Sequence, residues 1–346
     1  MLRSLALTCL ILLSVLAMPV RASVVSDLYE ASVPVTQRSD AALGEAARRA
    51  LSQVFVKVSG SEAVLSYPEV SAALGKARSY VQQYAFVVDD GSLLARFEFD
   101  AAIISRIVTD AGAPLWTANR PEVLLWLVVD TAQGRRFITA DNDPEQVALL
   151  REAFNQRGVP VRLPLFDLTD SAALTPDQAW SQSSAALRAA SARYGVSEIL
   201  GGRAAALSTG NWVGDWTYLT DTYRLDRSVT ASDAAAFVRD GVAIVAEDMA
   251  SRYAVAAKRS QSSGGVMMVV DGVRSYGDYA GIVSWLEGLE LIKHANVEQI
   301  RGEQIELRLI AQADAGQLSS IIELNDRLIP VPQVANPDRL AYQWRN

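Results

Sequence analysis

Cysteine is all but missing from this 346-residue chain, its single copy being Cys9 in the amino-terminal apolar run. Beyond that run no disulfide can form, and thiolate metal sites and cysteine nucleophiles are excluded. Histidine is as scarce. His294 is the only one, so a Ser-His-Asp triad or a histidine metal site would have to use it. Leu291, Lys293, Ala295 and Val297 alternate with Ile292, His294, Asn296 and Glu298. That alternation puts His294 on the mainly polar face of a strand, where it reads as a solvated side chain. Basic clustering is missing too: 32 Lys and Arg are interspersed among 39 Asp and Glu, for a net charge of −7. Nucleic acid is therefore excluded as a partner, because phosphate neutralisation needs a basic stripe. No Gly-x-Ser-x-Gly elbow is present, and no Ser-x-x-Lys occurs with its companion motifs. These absences point away from an enzyme, a cofactor and a bound metal.

What is present begins with Met1–Ala22. Arg3 precedes an apolar run from Leu5 to Met18, and Val20-Arg21-Ala22 leads into Ser23. A charged start, a short apolar stretch and a small-residue cleavage site form a secretory signal peptide. Cleavage is expected after Ala22, giving a soluble periplasmic protein that starts at Ser23. Ala6-Leu7-Thr8 ahead of Cys9 is a poor lipobox, which speaks against a lipid anchor. No later apolar run reaches about 18 residues, so no membrane span is expected. With half its residues apolar, the mature chain can bury the cores of two or three domains.

The patterning predicts an α+β protein of three small α/β units. In residues 23–117, Leu43, Ala46, Ala47, Ala50, Leu51, Val54, Phe55 and Val58 recur at helical spacing after Ser39-Asp40 and stop at Ser59-Gly60. A second helix is expected over 68–80, then a hairpin of 84–88 and 93–99 about Asp89-Asp90-Gly91. Asp100 would cap a helix. Residues 113–120 read as a linker. In residues 121–258, Val123–Val129 is continuously apolar, as a buried strand should be. Asp143-Pro144 starts a helix, 161–166 is a strand and 168–181 loop-like. A helix to Tyr194, a strand at 198–207, a meander at 212–230 and a long helix from Asp233 follow, giving a mixed sheet flanked by helices. Residues 258–265 are a Ser/Gly linker. Residues 266–332 read β-α-β-β-α with a last short strand, a ferredoxin-like order, and 333–346 as a tail.

Several constellations bear on chemistry. The carboxylate pairs Asp89/Asp90, Asp141/Asp143 and Glu247/Asp248 are the acid–base candidates. The first suits a turn, Asp143 suits a helix cap, and the third suits a polar helix face. Thr139–Asp143 lacks full calcium-loop spacing. Gly201-Gly202 follows a strand without opening a helix, so it reads as close backbone approach. The candidate binding face is aromatic: Trp212, Gly214, Trp216 and Tyr218 share one side of a strand, with Arg224 and Arg227 on the next. Exposed, these would bind a glycan or a protein; buried, they are core beneath the long helix.

Three stretches carry a resemblance. They are Ala47–Gly60 (ARRALSQVFVKVSG), Pro114-Leu115-Trp116 with Arg120–Trp126 (RPEVLLW), and Tyr194–Gly202 (YGVSEILGG). Together they resemble the exported family of Gram-negative bacteria called domain of unknown function 2066, which has no assigned activity. The middle unit is also similar to the amino-terminal domain of TolB and related envelope-assembly domains, a fold-level analogy. The expectation is a periplasmic, non-enzymatic interaction or assembly-accessory protein with envelope proteins as partners. The alternatives are a module binding a cell-wall glycan or small ligand through Trp212, Trp216, Tyr218, Arg224 and Arg227, and, least favoured, a carboxylate-based hydrolase.

Overall fold

The structure, a computed structural model, describes residues 22–89, 91–256, 265–325, 327–331 and 339–345. The leader through Arg21 and the linker residues 258–264 lie outside the described residues. The chain is mixed α/β, with helices packed on a three-, a six- and a five-stranded sheet.

The first unit contains β1 (Ala22–Val24), β2 (Glu30–Pro34), α1 (Asp40–Ser59), α2 (Pro68–Leu74), β3 (Val81–Asp89), β4 (Ser92–Phe99) and α3 (Ala101–Asp110). Ser39 accepts the Ala42 N–H to start α1, and Gly60 ends it at φ 75°, a left-handed conformation that glycine adopts without strain. The apolar side of α1 covers a sheet ordered β2-β4-β3. The single helix expected over 68–80 is two pieces. It stops at Leu74, and Ala77–Tyr80 forms a separate 3-10 turn, because Gly75 is a poor helix former. The expected linker is tied down: Pro114–Leu115 (β5) pairs with Val255–Ala256, and Asn119–Pro121 (β6) pairs with β1.

The middle unit runs β7 (Val123–Thr131), β8 (Gly134–Phe137), α4 (Pro144–Gln156), β9 (Val161–Arg162), α5 (Leu168–Ala173), α6 (Pro176–Trp180), α7 (Ser184–Ser191), β10 (Glu198–Ala206), β11 (Trp212–Leu219), β12 (Arg224–Ala231) and α8 (Ala234–Tyr253). The sheet order is β12-β11-β10-β7-β8, with β9 also on β7. Leu125 and Leu127 face α4 and α8, while Leu124, Trp126 and Val128 face α6 and α7. Burial on both faces is why β7 is continuously apolar. The strand expected over 161–166 is only two residues long. The stretch 168–181, expected as loop, is two short helices. Asp167 caps α5, and Thr175 with Gln178 makes a capping box on α6 behind Pro176.

The last elements are β13 (Val255–Ala256), β14 (Val266–Asp271), α9 (Tyr276–Glu287), β15 (Ile292–Arg301), β16 (Gln304–Ala311), α10 (Ala315–Ile322), β17 (Leu328–Pro330) and β18 (Arg339–Trp344). Their sheet is ordered β15-β16-β14-β18-β17, with β18 parallel to β14. A ferredoxin-like order would seat β17 beside β14. Instead Arg339–Trp344, expected as tail, takes that place, because Leu340 and Tyr342 alternate into the core.

Buried apolar residues of the first unit (Phe55, Phe97) and of the last (Met268, Leu307) belong to one continuous cluster. The first and middle units meet at two buried cations. Lys57 donates to the carbonyls of Asp27 (3.4 Å) and Glu30 (3.0 Å) and to Asn155 Oδ1 (3.1 Å). Arg120, fully buried, donates to the carbonyls of Thr117 (2.9 Å), Trp116 and Lys57 (2.8 Å each), Gly158 (2.8 Å) and Arg157 (3.3 Å). Its guanidinium lies 3.8 Å from the Trp116 ring centroid. Burial lowers its pKa to about 9, opposed chiefly by Glu290, so it stays charged at neutral pH.

Candidate functional site

Of the five candidate binding-face residues, Trp212, Trp216, Tyr218 and Arg227 lie on the α8 side of the sheet and Arg224 on the other. Trp216 and Tyr218 are buried. The Trp216 indole fits between Gly202 of β10 and Gly241 of α8, where a Cβ on either glycine would overlap it. It donates to the Phe237 carbonyl at 3.1 Å and stacks on the Phe237 ring with centroids 5.0 Å apart. Tyr218 donates to Glu198 and accepts from Arg252. Trp212 is half-buried, 6.1 Å from the Phe237 ring. Arg227 turns toward α8 and pairs with Glu247 at 3.0 Å. Arg224 points to the opposite side of the sheet, bonding Asp226, the Gln182 carbonyl (2.9 Å) and Ser184 (3.0 Å). The aromatic side of β11 is thus floor beneath α8. Gly201 likewise makes room for Leu187.

The acid–base candidates are largely occupied. Asp143 holds Arg136 with its carboxylate and makes no side-chain cap on α4, contrary to expectation. Glu247 holds Arg227. Asp248 takes Arg252 at 2.9 Å and the Tyr223 hydroxyl at 2.8 Å. Asp90 lies outside the described residues. In the 139–143 loop, Asn142 Oδ1 accepts from the Thr139 N–H at 2.9 Å and the Thr139 hydroxyl accepts from the Asn142 N–H at 3.3 Å, so the loop is closed on itself. Among the described residues no three His, Asp or Glu side chains are grouped to hold a metal ion. His294 is exposed, 3.8 Å from Glu287. A cleft of about 360 Å³ between α1, α4 and α8 carries Arg157 and Arg239 beside Glu62 and Asp240, a balanced set that favours neither sign of ligand.

One surface feature is built differently. After β9 the chain turns through Leu163–Leu168, and Leu165 (71%) and Leu168 (89%) stand exposed. Between them Phe166 sits at φ 54°, a strained conformation for an aromatic residue, costing about 1–3 kcal/mol. Its ring is edge-on to Trp126 with centroids 5.8 Å apart and lies 5.4 Å from Phe137. Its N–H donates to Asp170 at 2.8 Å. The Leu165 N–H donates to the Tyr194 hydroxyl at 2.9 Å, and that hydroxyl donates to Asp170 at 2.5 Å. Arg193 grips Asp167 through two bonds (2.7 and 3.0 Å) and reaches Asp170 at 3.0 Å. Asp170 itself is buried. A strained backbone fixed by this many bonds holds two leucine side chains in solvent at a set spacing. The sequence pattern reads as strand through Phe166 and loop from Leu168, which does not show this arrangement; its signals are Asp167 and Asp170 three apart, and Arg193-Tyr194 at a helix end.

The Arg193 hydrogen bonds, followed by the Asp170 N–H, draw Asp167 down to about 2. Its folded pKa lies below its ordinary value of 3.8, so the contribution of this pair is complete above that value and is lost as pH falls through about 2. The Asp167 carboxyl resonance should titrate there, and Arg193→Gln should move its midpoint up toward 3.8. An unmoved midpoint in the variant would show that Arg193 does not hold the loop.

With this geometry in view, one family match bears on the chain: the model described as Domain of unknown function (DUF8605) covers residues 22–117. That is a different family from domain of unknown function 2066, so the resemblance read from the three stretches is corrected. No curated protein and no solved structure matches, and the likeness to the TolB domain finds no support. The physical reason is visible in the stretches themselves. An amphipathic helix closed by Ser-Gly, and a helix ending at Tyr-Gly before an apolar strand, are common local grammar. The matched family has no stated activity, so it assigns no roles to residues.

Proposed function

We propose that the chain is an exported, non-enzymatic interaction protein of the cell envelope, working in a periplasm after cleavage following Ala22. The signal-peptide pattern motivates the location. No helix among the described residues is long and apolar enough to cross a membrane. The observation that carries the interaction reading is the strained 163–168 loop, which keeps Leu165 and Leu168 in water. Strained backbone held in place by surrounding bonds clusters at functional positions, which supports this reading. The partner that fits is an envelope protein with an apolar groove receiving both leucines. The glycan alternative is weakened by the burial of Trp216 and Tyr218, and the hydrolase alternative by the arginines held on Asp143, Glu247 and Asp248.

A photoreactive amino acid at Leu168 should capture one defined envelope protein in living cells, and Leu168→Asp should abolish that capture. Because Leu168 is exposed, the variant should unfold within about 0.5 kcal/mol of the parent. Capture at background levels from both Leu165 and Leu168 would sink this reading.

A further inference from the structure

The open flanks of the sheets are not equally protected. β12 carries Arg224, Asp226 and Arg227; β15 carries Lys293, Glu298 and Arg301 and is broken by two register shifts; β17 is three residues long and ends in Pro330. Charge, irregularity, shortness and proline are the usual defences against strand addition. β3 has almost none of these. It is a nine-residue edge strand, VQQYAFVVD, paired among the described residues only with β4, and its one charge is the terminal Asp89. Its single register shift lies at Val81/Gln83, before the apolar part.

That apolar part is a row on one face. Tyr84 (51% exposed), half-buried Phe86 and Val88 (63% exposed) continue the plane of Phe97, Ala95 and Leu93 beyond the cover of α1. Tyr84 is edge-on to Phe86, with centroids 6.1 Å apart. The backbone of the same residues faces outward. The Leu93 carbonyl accepts the Val35 N–H from the β2 side. Leu93 therefore turns its backbone away from its partner Val88, and by alternation Val88, Phe86 and Tyr84 turn theirs to the free flank.

We propose that β3 pairs antiparallel with β3 of a second copy of this chain, joining two three-stranded sheets into one. The strand is complementary to itself about a two-fold axis at Phe86. In that register Phe86 meets Phe86 and Tyr84 meets Val88, all on one face and all with outward hydrogen-bonding groups, an isologous contact. At the ends of that register Asp89 lies opposite the uncharged Gln83, so no like charges are set against each other along the paired strands. The surface is separate in sequence from the Leu165–Leu168 loop and goes beyond the proposal made for it.

The test uses the mature chain, residues 23–346. Sedimentation velocity should give a dimer, and Val88→Lys with Tyr84→Lys should give a monomer with unchanged circular dichroism. Register is read by crosslinking, which is clean because the mature chain has no cysteine of its own. Phe86→Cys should form an intermolecular disulfide under mild oxidation, since opposed Cα atoms in a hydrogen-bonded pair lie about 5.5 Å apart, within bridging range. Tyr84→Cys alone should not crosslink, whereas Tyr84→Cys with Val88→Cys should. The double variant, with no change at half-buried Phe86, keeps the test open if Phe86→Cys folds poorly. A parent that is monomeric at every concentration overturns the proposal, as does a dimer unaffected by the lysine variants, or equal crosslinking from Tyr84→Cys and Phe86→Cys. Capture of a different protein through Val88 would overturn it too, while leaving the envelope-interaction reading intact.

Discussion

Arg120→Leu should destabilise the protein by on the order of 5 kcal/mol, if it folds at all. The leucine removes donors from five main-chain carbonyls, those of Trp116, Thr117, Lys57, Arg157 and Gly158. Each buried carbonyl left without a donor costs about 1–3 kcal/mol, and partial relaxation keeps the total below the simple sum. The stacking on Trp116 is lost as well. Arg120→Lys should recover only a fraction, because an ammonium has three donors and cannot reproduce the planar fork. Thermal unfolding followed by circular dichroism checks both variants, with a midpoint drop of roughly 10 °C or more expected for leucine. A loss below about 1 kcal/mol would mean that the carbonyls find water instead.

Trp216→Ala should cost about 3–5 kcal/mol, the range for emptying a large aromatic site. The indole is held between Gly202 and Gly241, so neither β10 nor α8 offers a side chain there to fill the void. The Phe237 carbonyl also loses its donor. The reciprocal change, Gly241→Val, should be comparably damaging for the opposite reason, since the added carbons overlap the ring and the helix backbone cannot withdraw cheaply. Urea unfolding midpoints should fall in both variants. Near-parental stability of Gly241→Val would show that α8 does not lie against Trp216.

Much of this architecture was legible because it is local. α1 announces itself by apolar spacing, a Ser39 cap and a glycine stop, and β7 by an unbroken apolar run. α5 and α6 were missed because six- and five-residue helices hold too few apolar positions to show a period, although Thr175-Pro176-Asp177-Gln178 spelled out a cap. β18 was missed because its neighbour β14 is remote in sequence. For the candidate site, parity alone could have split Arg224 from Arg227, since residues three apart on a strand face opposite sides. Whether Trp216 is buried depends on α8 landing over it, which no local pattern states. The left-handed backbone of Phe166 is held by Arg193 and Tyr194, more than twenty residues further along the chain, so the loop could not be read as a unit.

The position of β18 also dictates an order of events. It lies between β14 and β17, yet it follows both along the chain, nearly seventy residues after β14. Its pairing with β14 closes a long loop, a slow step whose entropy is lost before any contact compensates. Until residues 339–344 dock, β14 and β17 each carry a bare flank, and the apolar sites of Leu340 and Tyr342 stand open. Chains caught in that interval are the ones most prone to associate wrongly. Docking of β18 is therefore the event that closes the flanks of both β14 and β17.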